Sequence, residues 1–174
     1  GGEPPDAGVM RRPPRSPQDR LLTSGLLARA YLFLGVLEAI AAMAAFFFVL
    51  TVEGWQWGRL LSANDVLFRQ ATTACLTAVV VMQVVNVHLY RSRRRSVVSR
   101  PLFENHLITA GIAAEAALIL LIDYTAGGNA VFGTAPIAFN VWLFLLPFAL
   151  GMLMLEEGRK VIVRWRERGT TAST

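Results

Sequence analysis

The sequence predicts an all-α membrane protein: a four-transmembrane-helix bundle with cytoplasmic termini. Three observations predict it. Apolar stretches of bilayer-crossing length run over about Leu27–Val52, Ala71–Tyr90, Leu107–Tyr124 and Pro136–Leu155 of the 174 residues. A span needs ~20 mostly apolar residues, because the hydrocarbon core is about 30 Å thick and a helix rises ~1.5 Å per residue. Apolar residues make up 54% of the chain and charged residues 17%, against about 25% charge in ordinary soluble domains. The basic residues, finally, gather on one side of the bilayer.

The formal net charge of +5 and the pI near 10.3 would suit a nucleic-acid binder. The placement of the 17 basic residues argues for topology instead. Arg11, Arg12, Arg15, Arg20 and Arg29 precede or open the first span. Arg91, Arg93, Arg94, Arg95 and Arg100 separate the second and third, and Arg159, Lys160, Arg164, Arg166 and Arg168 follow the fourth. Only Arg59 and Arg69 lie between the first and second. Basic residues are retained on the cytoplasmic side during insertion. Both termini and the middle loop are therefore expected inside, in a multi-pass protein of the cell membrane with the lipid bilayer, and no nucleic acid, as a partner.

Three segments follow. Residues 1–24 carry five prolines and several charges. Proline lacks a backbone N–H and forbids a regular helix there, so an extended cytoplasmic segment is expected. Residues 25–158 hold the four spans, with Thr23 or Ser24 as a cap for the first. Glu53–Asp65 forms a loop whose Trp55 and Trp57 suit an interfacial aromatic belt. Pro101 and Glu104-Asn105 suit the start of the third span, and Ala126-Gly127-Gly128-Asn129 reads as a turn. Pro147 interrupts the fourth span. Residues 159–174 form a basic cytoplasmic tail whose VIVRWRER suits an anionic leaflet, and the closing GTTAST reads as disordered. The chain opens Gly1-Gly2, which suggests a piece of a longer one, although Met10 would also serve as an initiator. High Arg, Ala and Val with almost no Lys suggests a bacterial source.

Chemistry can reside on the few polar side chains within the spans or on the loops between them. Glu115 lies near mid-span. A carboxylate there costs several kcal/mol unless protonated, paired or hydrated, so it should face the bundle interior, as a cation ligand, a proton carrier or a hydrogen-bonded acid. Glu38, two to three turns into the first span, reads as a hydrogen-bonding group or one solvated in a crevice. Gln83 and Asn86 are three apart and share a helix face. Their oxygens can help dehydrate a hard cation or hold helices together. His88 reads as interfacial. The single Cys75 excludes a disulfide framework. No phosphate-binding glycine loop, Ser/His/Asp arrangement or zinc-ligand spacing is present, so neither a catalytic residue nor a cofactor is expected in this chain.

The order of these features resembles the C-terminal membrane domain, the seventh to tenth transmembrane helices, of P-type cation-transporting ATPases of the calcium-pump and sodium-pump class. EPPDAGVMRRPPR resembles their cytoplasmic segment after the sixth helix, and RAYLFLGVLEA their seventh helix. VVVMQVVNVHLYRSRRRSV resembles the eighth, HLITAGIAAEAALILLIDY the ninth, and LLPFALGMLMLEEGRKVIVR the tenth. The resemblance implies a cation-path role for Asn86, where such pumps place an acidic or amide ligand, and for Glu115, where sodium-pump relatives place an acid. Asn86 departs from the family's carboxylate. The phosphorylated Asp, the nucleotide site and the main ion ligands lie elsewhere in such pumps, so ATP and Mg²⁺ would belong to the parent. The implied partners are its remaining helices, its cytoplasmic domains and the transported cation. Two alternatives stay open: a free-standing four-helix proton-coupled secondary transporter using Glu38 or Glu115, and a membrane scaffold or regulatory subunit.

The charge asymmetry generates a prediction. A cysteine introduced at Ser96 will react with a membrane-impermeant reagent only after the membrane is opened. Labelling from outside intact cells would contradict the topology.

Overall fold

A computed structural model describes residues 23–90 and 105–171, without the side chains of Tyr90, Arg164 and residues 166–171. The described residues form helices and connections. Helix α1 spans Ser24–Val52, α2 Val66–Tyr90, α3 His106–Tyr124, α4 Ala126–Phe132 and α5 Phe139–Thr171. Four of them, α1, α2, α3 and α5, are long and apolar enough to cross a membrane. With the chain's mean hydropathy of +0.46, they make it a multi-pass membrane protein.

Each start has a chemical cause. Four N–H groups at a helix start lack an intrahelical acceptor, and a side-chain oxygen supplies one. Thr23 accepts from the Leu26 N–H at 3.3 Å at the head of α1. Asp65 accepts from the Leu67 N–H at 3.2 Å, which starts α2 at Val66 rather than near residue 71. Asn105 accepts from the Leu107 and Ile108 N–H groups at 3.0 and 3.4 Å, capping α3. Pro101, Glu104, the Arg91–Arg100 loop and residues 1–22 lie outside the described residues.

The turn expected at Ala126–Asn129 is instead the opening of α4. Thr125 accepts from the Gly128 N–H at 3.0 Å, and Gly133, with φ at +66°, ends the helix. That conformation costs glycine nothing. Gly128 has a second role. A Cβ there would collide with the Leu121 carbonyl and the Ile122 backbone, so its lack of a side chain folds α4 back onto α3. The fourth span starts at Phe139 rather than Pro136 and runs unbroken through Pro147 to Thr171. Gly169, Thr170 and Thr171, expected to be disordered, continue the helix. Residues 172–174 lie outside the described residues.

Helices α1 and α2 pack along their lengths, and α5 packs against both. Small residues allow this close approach: Ala42 and Ala45 meet Ala71, Ala74 and Ala78, with Ile137, Val141 and Leu145 completing the cluster. A second cluster joins Leu34, Ala41, Met82, Leu89 and Met152. Phe48 and Phe144 stack at a centroid distance of 4.1 Å. Helix α3 packs on α2 and α4. Leu32, Val36, Ile40, Met43 and Phe47 form an exposed stripe on α1 at helical spacing. That apolar face suits lipid or further helices rather than water.

Bulk at the alanine seam should force α1 and α2 apart. Ala78→Leu will lower stability by about 1–3 kcal/mol, read as a lower unfolding temperature in lipid or detergent. The exposed Ala39→Leu will leave that temperature unchanged.

Candidate functional site

Glu38 lies midway along α1, and its carboxylate meets α2. The Gln83 side-chain amide donates to Oε1 at 3.0 Å. The Asn86 amide donates to Oε2 at 3.4 Å. The three-residue spacing of Gln83 and Asn86 sets both amides on one helix face, and the alanine seam brings that face against Glu38. Two of the three candidate cation-path residues thus converge on Glu38. Glu38 is half-buried and Asn86 is buried, while Gln83 is exposed. Asn86 Oδ1 is buried without a hydrogen-bond partner. Carboxylate and amide oxygens are the hard ligand type that alkali and alkaline-earth cations prefer.

Glu115 lies apart from this cluster. It is half-buried on α3, and no hydrogen bond or ion pair joins it to another described residue. The adjacent Ala116, with Ile119 and Leu120, lines an apolar groove of about 190 Å³ against Val80, Val81, Val84 and Trp142. His88 Nδ1 lies 2.9 Å from the Val84 carbonyl of its own helix. Among the described residues, no group of three His, Cys, Asp or Glu side chains could hold a metal ion.

Two further polar groups were missed from sequence. At one end of the bundle, buried Glu156 accepts from Arg29 Nη2 at 2.6 Å and from Arg159 Nε and Nη2 at 2.9 and 2.5 Å. Lys160 Nζ donates to Glu157 Oε1 at 3.0 Å. Helix α1 widens into a π-helical turn over Arg29–Leu34 as it leaves this cluster. The acidic pair three residues before Arg159 and Lys160 was the available signal, together with an arginine inside an apolar helix. At the other end, buried Asp123 accepts from Thr77 at 2.8 Å. Arg69 donates to the Gly133 and Asn129 carbonyls, both at 2.9 Å, and Gln70 to the Pro136 carbonyl at 3.0 Å.

A family model described as "Cation transporting ATPase, C-terminus" matches residues 1–162. The chain belongs to this family. It is the C-terminal domain of cation-transporting P-type ATPases. It is 27% identical over 97% of its length to a sodium/potassium-transporting ATPase subunit alpha-1 from Catostomus commersonii. It is 32% identical over 94% of its length to a probable cation-transporting ATPase F from Mycobacterium tuberculosis, and 26% identical over 91% to a potassium-transporting ATPase alpha chain 1 from Xenopus laevis. The chain spans 19%, 17% and 18% of those relatives. These matches support the pump reading and not the free-standing proton-coupled transporter.

The Glu156 cluster generates a prediction for this family member. Removing one partner of a buried ion group leaves the others uncompensated, at a cost of about 3–5 kcal/mol. Glu156→Ala will therefore lower folded yield and unfolding temperature sharply. Restoring only the shape, as Glu156→Gln, will recover a minor part.

Proposed function

We propose that this chain supports ATP-driven cation transport by a larger pump, and that Glu38, Gln83 and Asn86 form a station on its cation path. One observation carries the reading: across the α1–α2 seam the Glu38 carboxylate accepts from the Asn86 amide nitrogen, and the oxygen of that same amide is buried and without a hydrogen-bond partner. A dehydrating cation needs several oxygen ligands, and the remaining ones would come from the pump's other helices. Asn86 takes the place of a carboxylate, and Glu38 would supply the missing charge from the neighbouring helix. Glu115 would act as a second, weaker station on α3. Its half-buried carboxylate beside an apolar groove favours a proton or a passing cation.

ATP and Mg²⁺ would bind to other parts of the pump. The sequence carries no phosphate-binding glycine loop. Partners would be the pump's remaining helices and cytoplasmic domains. The termini and the loop between α2 and α3 would face the cytoplasm, as the basic residues indicate.

Cation-stimulated ATP hydrolysis by the full-length pump tests the assignment. A hydrogen bond or ligand contact to a charged group contributes ~1.5–3 kcal/mol, so Glu38→Gln and Asn86→Ala will each raise the half-maximal cation concentration by about 10- to 100-fold. Glu115→Gln will shift it less. If all three variants match wild type at every cation concentration, these groups only join helices.

A further inference from the structure

A second buried carboxylate lies far from the Glu38 cluster, at the end of the bundle opposite Glu156. Asp123 closes α3, and its side chain is fully buried against α2. Thr77 donates to Oδ2 at 2.8 Å, and Oδ1 is buried with no partner. An ionised carboxylate removed from water needs a cation or several donors, and Asp123 has a single hydroxyl.

Among the described residues, the packed elements offer no counter-cation. On α2, Arg69 directs its guanidinium to the Gly133 and Asn129 carbonyls, about 12 Å along the helix axis from Thr77. Cys75 is a thiol, and His88 occupies the far end of α2. Helix α4, with sequence AGGNAVF, carries no ionisable side chain. On α3 itself, Glu115 is two turns away and adds no positive charge. His106 opens the opposite end, and Tyr124 donates its hydroxyl to the Ile137 carbonyl at 2.9 Å.

The surroundings are fixed in place. The Thr134 hydroxyl donates to the Ile122 carbonyl at 2.7 Å. The Asn129 amide, in its better-satisfied orientation, donates to the Thr134 hydroxyl and to the Ile122 and Asp123 carbonyls. The Ala135 N–H donates to Thr73 at 3.0 Å. Helix α4 and the link after it are thereby tied over the end of α3, and their bonds leave the Asp123 carboxyl untouched.

We propose that Asp123 is a proton-binding site, holding one proton on its carboxyl group beneath α4 and separate from the Glu38 station. The bound proton makes the side chain neutral. Oδ2 then keeps the Thr77 bond as a carbonyl oxygen, and Oδ1 carries the hydrogen. The site takes a proton rather than a metal ion, because among the described residues Thr77 is the one side chain bonded to it, and a hard metal ion needs several oxygen ligands.

Infrared difference spectroscopy on the full-length protein in lipid vesicles at neutral pH tests this. Wild type minus Asp123→Asn will show the carbonyl stretch of a protonated carboxylic acid. Thr77→Val will move that band to higher frequency, as the carbonyl loses its donor. A difference spectrum with only ionised-carboxylate bands, or one that changes with added sodium or potassium, would overturn the proposal. Should Asp123→Asn fail to fold, wild type minus Thr77→Val decides: a shifted acid band supports the site, and its absence refutes it. Failure here would leave the Glu38 station untouched, since that is read by cation affinity.

Discussion

Hydrocarbon offers no hydrogen bonds, so each polar side chain within the spans must find its partner inside the protein. That constraint organises this bundle. Polar contacts sit at three levels along it: Glu156 with Arg29 and Arg159, Glu38 with Gln83 and Asn86, and Asp123 with Thr77. Alanines fill much of the seam between α1 and α2. They let the backbones approach closely enough for Glu38 to reach across it.

The three levels differ in electrostatic completeness, and the difference separates support from candidate function. Glu156 is matched by two guanidinium groups and behaves as a fixed tie between α1 and α5. Among the described residues Glu38 is bonded by two neutral amides, and in the proposed reading it serves a cation. Asp123 has one hydroxyl donor and no cationic partner among the described residues, the setting of the proposed proton site. The π-helical turn over Arg29–Leu34 lies between the Glu156 tie and Glu38. Such turns are frequent at functional sites.

Much of the fold was legible in sequence, because hydropathy over a 20-residue window reports the solvent directly. The four spans followed from it, and residue type offered Thr23 or Ser24 as the first cap, of which Thr23 makes the bond. The boundaries near Val66 and Phe139 did not. Arg69 and Gln70 look like loop residues until their bonds to the carbonyls of the α4 loop are known. The α4 helix was hidden because Ala126-Gly127-Gly128 has the composition of a turn. Only the close approach of Gly128 to α3 explains it. At the candidate site, the Gln83–Asn86 face was readable from spacing. That Glu38 completes it was not, since contacts between helices carry no local signature. Glu115 drew notice for its depth, yet it bonds to no other described residue.

The central claim is that Glu38, Gln83 and Asn86 bind the transported cation. Electron cryo-microscopy of the full-length pump in lipid, with and without its activating cation, tests it most directly. The account predicts ion density within ligand distance of a Glu38 carboxylate oxygen and Asn86 Oδ1 in the loaded state, absent in the cation-free state. An empty cluster in a loaded pump, with the Glu38 bonds to Gln83 and Asn86 unchanged, would contradict it.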